Sequence, residues 1–110
     1  MSRGVNKCVL IGNLVADPDV GFTSESQTKV AKCRIAVNTK RRGVDHTLYR
    51  NVVFFGPLAE IADAYLKKGS QIYVEGPAND NSWEENGIQH FSTEVIGEQL
   101  NMLGGRPEGE

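Results

Sequence analysis

Only one stretch of this chain repeats its apolar residues at helical spacing, and that limits the fold more than any other feature. Between Gly56 and Gly69, Leu58, Ile61, Ala62, Tyr65 and Leu66 form a single apolar stripe. Pro57 stands at or near the first helical position, where its missing N–H costs nothing. Lys67 and Lys68 are expected in the last turn, with Gly69 as the stop. Every other apolar segment is short and β-prone. Val5–Leu14 is β-branched and largely apolar. From Val30 to Val37 the chain alternates, with Ala31, Cys33, Ile35 and Val37 on one face and Lys32 and Arg34 on the other. Asn38–His46 reads as a basic loop with Gly43 near its tip, and Thr47–Phe55 as a strand. In that strand Arg50 falls on the more apolar face, which suggests a bulge, a strand end or a polar subunit contact. Gln71–Gly76 is a further strand, and His90–Ile96 returns from a hairpin that carries Trp83 and the turn signal Asn86-Gly87.

Three strands, a helix and then a long hairpin predict an all-β fold with one helix: a five-stranded Greek-key barrel of OB type with a protruding hairpin. The 110 residues make one domain, assigned to 1–104, with 105–110 expected to be disordered. No apolar run approaches the roughly 20 residues that span a membrane, and the N-terminus lacks an apolar signal core. A cytoplasmic protein is expected, with Cys8 and Cys33 as reduced, buried small hydrophobes. Two histidines without a CxxC make a zinc site improbable, and no metal or cofactor is expected.

Net charge is −2, but its distribution is uneven. Residues 1–50 hold nine Lys/Arg against four acids, and residues 51–110 hold three against ten. Such a division suits a polyanion-binding face on a protein that is acidic elsewhere, although mixed surface charge can also fall this way. Catalytic signatures such as GxSxG, HExxH or GxxxxGK[ST] are missing, which argues against an enzyme. Binding of a single-stranded nucleic acid needs cations along the phosphates and aromatic faces under the bases. Lys32, Arg34, Lys40 and Arg41 supply the first, and Tyr49, Phe55 and Trp83 the second. Phe55 also has a core reading, since most aromatics are buried. Tyr73 can stack, pack at an interface or cover the barrel. Phe54, Tyr65 and Phe91 are assigned to the core. Val5, Val9 and Ile11 alternate with Cys8 and Leu10, so the first strand is apolar on both faces and asks for a partner subunit.

Ser2–Leu14 followed by Asp17-Pro18 resembles the N-terminal signature of bacterial single-stranded DNA-binding proteins. Val52–Ala62, Tyr65–Gly76, Thr93–Val95 and Met102–Gly105 resemble later motifs of that family, in order and over nearly the whole chain. The resemblance implies an OB-fold homotetramer that wraps single-stranded DNA without sequence preference in replication, recombination and repair. It implies no catalysis and no metal. Arg3 and Lys7 match its basic N-terminal positions, Phe55 a stacking phenylalanine, Lys68 a lysine before the Gly-Ser-Gln turn, and Trp83 the hairpin tryptophan. Tyr49 stands where a stacking tryptophan is usual.

The departures bear on affinity. A second stacking tryptophan aligns near Lys40-Arg41, Pro57 replaces a usual lysine, and two expected hairpin arginines are Asn79 and Asn81, with Asp80 between them. Fewer phosphate contacts predict a shallower salt dependence. A rival reading is an OB scaffold or regulatory paralogue with weakened DNA binding. Family members usually end in an acidic tip that recruits replication and repair enzymes. The chain stops at Glu110, and that recruitment is expected only where such a tail exists beyond it.

Overall fold

The structure, a computed structural model, describes residues 4–103. Arg3 and the expected domain end and tail at 104–110 lie outside the described residues. Eight strands and one helix follow in the order β1 (Cys8–Leu14), β2 (Asp19–Phe22), β3 (Lys29–Arg41), β4 (Val44–Phe55), α1 (Pro57–Tyr65), β5 (Gln71–Gly76), β6 (Ala78–Glu85), β7 (Ile88–Ile96) and β8 (Gln99–Leu103). They form one sheet ordered β6-β7-β4-β3-β1-β5-β8, with β2 on β3. The ladder does not close into a ring. Five of these strands, in the order β7-β4-β3-β1-β5, enclose the core with α1, as expected of a small barrel with one helix. β4 and β7 pair in parallel and the remaining pairs are antiparallel.

The core is built by alternation. β3 contributes Ala31, Cys33, Ile35 and Val37, β4 Val52 and Phe54, β5 Ile72 and Val74, β1 Leu14 and β7 Val95. Ala59, Ala62 and Leu66 close it from the helix side. Each large aliphatic or aromatic side chain so buried stabilises the fold by roughly 1.5–3 kcal/mol. Lys29, at the start of β3, holds the helix through Asp63 at 2.7 Å and Glu60 at 3.0 Å. Those two carboxylates, Asp63 first, keep its ammonium above the usual lysine range. Among the described residues no helix is long and apolar enough to cross a membrane.

The structure departs from the sequence-based expectations at several points. The basic loop 38–46 is strand: β3 and β4 stay in register from Val30↔Phe55 to Arg41↔Val44. Its only turn is Arg42-Gly43, both at positive φ, the two-residue geometry that matches strand twist and that Asn86-Gly87 repeats. That unbroken ladder leaves no bulge at Arg50, which is exposed and donates from Nη1 to the carbonyl of Tyr49 at 2.9 Å. The helix ends at Tyr65, so Lys67 and Lys68 lie beyond its last turn. Its buried line is Ala59, Ala62 and Leu66, which leaves Ile61 at the margin and Tyr65 exposed rather than in the core. Phe91 is also outside the core, 74% exposed. It is in phase with buried Val95, but among the described residues it is not part of the core cluster. Cys33 is buried as expected and Cys8 only partly.

Candidate nucleic-acid interface

β3 and β4 share one outward face, because their in-register partners point the same way. Along it stand Val30 beside Phe55, Lys32 beside Val53, Arg34 beside Asn51, Ala36 beside Tyr49, and Lys40 beside Asp45. The parallel pairing Asn51↔Glu94 carries this face onto β7, and the pairs Glu94↔Asn79, Ser92↔Asn81 and His90↔Trp83 carry it onto β6. Register therefore places Lys32, Arg34, Lys40, Tyr49, Phe55 and Trp83 on one continuous surface. Tyr49, Phe55 and Trp83 are each close to half exposed, at 49%, 43% and 46%.

Each aromatic has a distinct setting. The Arg34 guanidinium lies 5.1 Å from the centroid of the Tyr49 ring and donates to Asn51 Oδ1 at 3.2 Å. This cation–π contact couples the two groups across the β3–β4 pair. Trp83 stacks on His90, with centroids 5.4 Å apart and 16° between the planes. Phe55 borders an open groove of about 530 Å³ whose walls include Asp19, Phe22, Lys32, Asn81 and Glu94. Lys32 makes no ion pair among the described residues, whereas Lys40 has Asp45 Oδ1 at 3.8 Å.

The other expected site residues lie elsewhere. Arg41 has the opposite parity to Lys40 and leaves the shared face. Lys7 and Tyr73 meet on the outer side of β1 and β5, where Lys7 Nζ reaches Glu75 Oε2 at 2.8 Å and Tyr73 Oη donates to Glu75 Oε1 at 2.8 Å. The hydrogen bond from Lys7, then that from Tyr73, lowers the Glu75 carboxyl below the usual range. Glu75 in turn raises both Lys7 and Tyr73. Val9 and Ile11, opposite Glu75 and Tyr73, leave this side apolar and about half exposed. Lys68 sits in the α1–β5 loop, its backbone N–H donating to Asp17 Oδ1 at 2.8 Å.

Phe22 and His90 are on or beside the shared face although neither was singled out. Phe22, 64% exposed, belongs to β2, whose four residues between Asp17-Pro18 and a Thr/Ser run carry too little periodicity to stand out as a strand. His90 becomes visible only through its cross-strand register. Among the described residues no cluster of three or more His, Cys, Asp or Glu side chains can hold a metal ion.

Residues 5–103 match the model of the Single-strand binding protein family. The chain is 42% identical over 114 residues to a "Single-stranded DNA-binding protein" of Xanthomonas campestris pv. campestris, covering 99% of this chain and 66% of that one. It is 39% identical over 115 residues to a protein of the same description from Xylella fastidiosa, covering 99% of this chain and 70% of that one. The chain thus spans about two thirds of the length of the curated relatives it matches. Among solved structures it resembles the Plasmodium falciparum SSB in complex with ssDNA, with a TM-score of 0.86 and 26% identity over 94% of this chain and 99% of that one.

Proposed function

This chain belongs to the single-strand binding protein family, and from that premise we propose that it binds single-stranded DNA without sequence preference and protects it during replication, recombination and repair. One observation carries the reading: Tyr49, Phe55 and Trp83 share a sheet face with Lys32 and Arg34. Aromatic faces take bases of any identity, and the cations between them neutralise phosphates. Lys40 extends the path, with Arg41 and Lys68 as outlying cations, and Arg3 is kept as a DNA-binding residue on the family resemblance alone. Lys7 and Tyr73 are assigned instead to the face formed by β1 and β5. The protein acts by binding and not as an enzyme, with no metal or cofactor, as one domain over residues 1–104 in the cytoplasm.

The β1–β5 face supports a homo-oligomer, a tetramer by family resemblance. Val9 and Ile11 sit exposed beside the Lys7–Glu75–Tyr73 network, a pattern of apolar contact with a polar rim that suits a subunit interface. Light-scattering mass distinguishes tetramer, dimer and monomer.

One observation favours the rival reading of a scaffold with weakened DNA binding: no Lys or Arg lies between Lys68 and Arg106, so the whole hairpin lacks them. Titration with oligo-dT of increasing length at two salt concentrations, followed through Trp83 fluorescence, separates the two. Quenching with salt-sensitive binding supports the DNA-binding reading. No binding and no quenching at low salt overturns it in favour of the scaffold.

A further inference from the structure

The β6–β7 hairpin has an unusual problem as part of a DNA-binding surface. It carries Asp80, Glu84, Glu85 and Glu94, and no lysine or arginine to offset them. With no Lys or Arg to neutralise phosphate there, base stacking is the contribution that the hairpin's exposed indole is suited to make. Its platform on this face is Trp83, at the edge of the sheet and next to the acidic tip.

An exposed aromatic on an edge strand is a poor platform when left to itself. Its ring samples several rotamers, and fixing one of them on binding opposes affinity. Trp83 is not left to itself. Its cross-strand partner is His90, and the two rings lie nearly parallel, 16° apart, with centroids at 5.4 Å. That is an offset stack, within the range in which aromatic pairs attract beyond simple burial. Trp83 nonetheless remains 46% exposed, so the indole still offers surface to a base. The neighbours on the same face are Asn81 and Glu85 on β6 and Ser92 and Ile88 on β7. None of these is a planar ring that can take over the role of His90.

We propose that His90 is a positioning residue for single-stranded DNA binding: it backs the Trp83 indole, so that a base adds as the third layer of a His90–Trp83–base stack. The assignment rests on the DNA-binding reading given above and deepens it. It makes the hairpin's contribution depend on an imidazole plane rather than on a cation. It also makes Trp83 a one-sided platform that takes one base and does not intercalate between two. Arg34 lying against Tyr49 repeats this arrangement on the neighbouring part of the face.

The test compares the parent, His90→Ala and His90→Phe by titration with oligo-dT, read through the fluorescence of Trp83, the only tryptophan in the chain. All three proteins are measured at the same pH. His90 lies on the hairpin outside the core, and circular dichroism verifies that each variant is folded. His90→Ala is expected to shift the emission of Trp83 before DNA is added, and to weaken binding by about two- to tenfold, the range that an aromatic pair corresponds to. The loss is expected to be equal at low and high salt, because no phosphate contact is removed. His90→Phe is expected to restore affinity and emission. Parent-like binding and quenching by His90→Ala, or failure of His90→Phe to restore them, overturns the role of His90 while leaving the DNA-binding reading intact. A parent that neither binds nor quenches overturns both.

Discussion

Replacing Lys32 by alanine offers a sharp test of how the shared face meets phosphate. Each cation that neutralises a phosphate on a single strand adds about 0.7 to the slope of log affinity against log salt. Of the cations that register places on this face, Lys32 is the one least engaged. Arg34 is occupied by Asn51 and the Tyr49 ring, and Lys40 has Asp45 nearby. Lys32→Ala should therefore make the slope shallower by about 0.7 per chain, or about 2.6-fold less loss of affinity over a fourfold rise in salt. Low-salt affinity should also fall, because Asp19 and Glu94 then face the groove without a cation between them. Lys7→Ala is the control. Lys7 is bound to Glu75 on the face of β1 and β5, and its removal should leave the slope unchanged. The assay is the fluorescence titration repeated at four or more salt concentrations for the three proteins. A parent-like slope for Lys32→Ala, or an equal drop for Lys7→Ala, would refute the placement of the phosphate path.

Other consequences concern stability and reactivity. A Cβ on Gly97 would land on Cε1 and Cδ1 of the fully buried Phe54 ring, so Gly97→Ala should cost roughly 1–3 kcal/mol by overpacking. Thermal denaturation reads that loss, and adding Phe54→Leu should recover part of it; an unshifted Tm for Gly97→Ala would contradict the close approach. Burial pushes the Cys33 thiol up to about 11, so a thiol reagent at about pH 8 should modify partly exposed Cys8 well before Cys33, and both at similar rates once the chain is unfolded. Similar rates in the native protein would show that Cys33 is accessible. Glu75 is held below its usual range of 4.5 by Lys7 and then Tyr73, so its contribution is present above about that pH and is lost as pH falls through the lowered value. Glu75→Gln should therefore flatten the acid limb of a stability–pH curve, and an unchanged limb would show that the network adds nothing.

The barrel was legible where alternation was strict. Ala31, Cys33, Ile35 and Val37 alternate with Lys32 and Arg34 over one strand, and both the buried face and the basic face follow from that period. Arg42-Gly43 was harder to recognise, since a basic run of Asn, Thr, Lys and Arg has the composition of a loop. Here cross-strand pairing continues through it because a two-residue turn sets the register. Phe91 shows the converse. Its parity matches that of buried Val95, but whether that face meets a core depends on how far the hairpin extends beyond the barrel. Tyr65 failed for a related reason. A nine-residue helix buries one narrow line, and small Ala59 and Ala62 occupy it because the sheet lies close. The aromatic and basic residues of the candidate site were all visible as types. Their sharing of a face was not, because Trp83 reaches Tyr49 and Phe55 only through the β4–β7 and β6–β7 registers.

Those registers also explain how a chain of net charge −2 can present a surface for a polyanion. Several carboxylates of the acidic half are consumed away from that surface. Asp63 and Glu60 hold Lys29 against the helix, and Glu75 holds Lys7 and Tyr73 on the face of β1 and β5. What remains on the shared face is divided along its length. Near β3 there are cations with aromatics beside them, and near β6 there is an aromatic pair set among acids. On the proposed reading, the first part would take phosphate and base together, and the second base alone. Salt acts on the phosphate part and leaves stacking nearly untouched. Affinity on a face so divided should decline with salt only as far as the β3 cations dictate, and then level off at what stacking on Phe55, Tyr49 and Trp83 supplies.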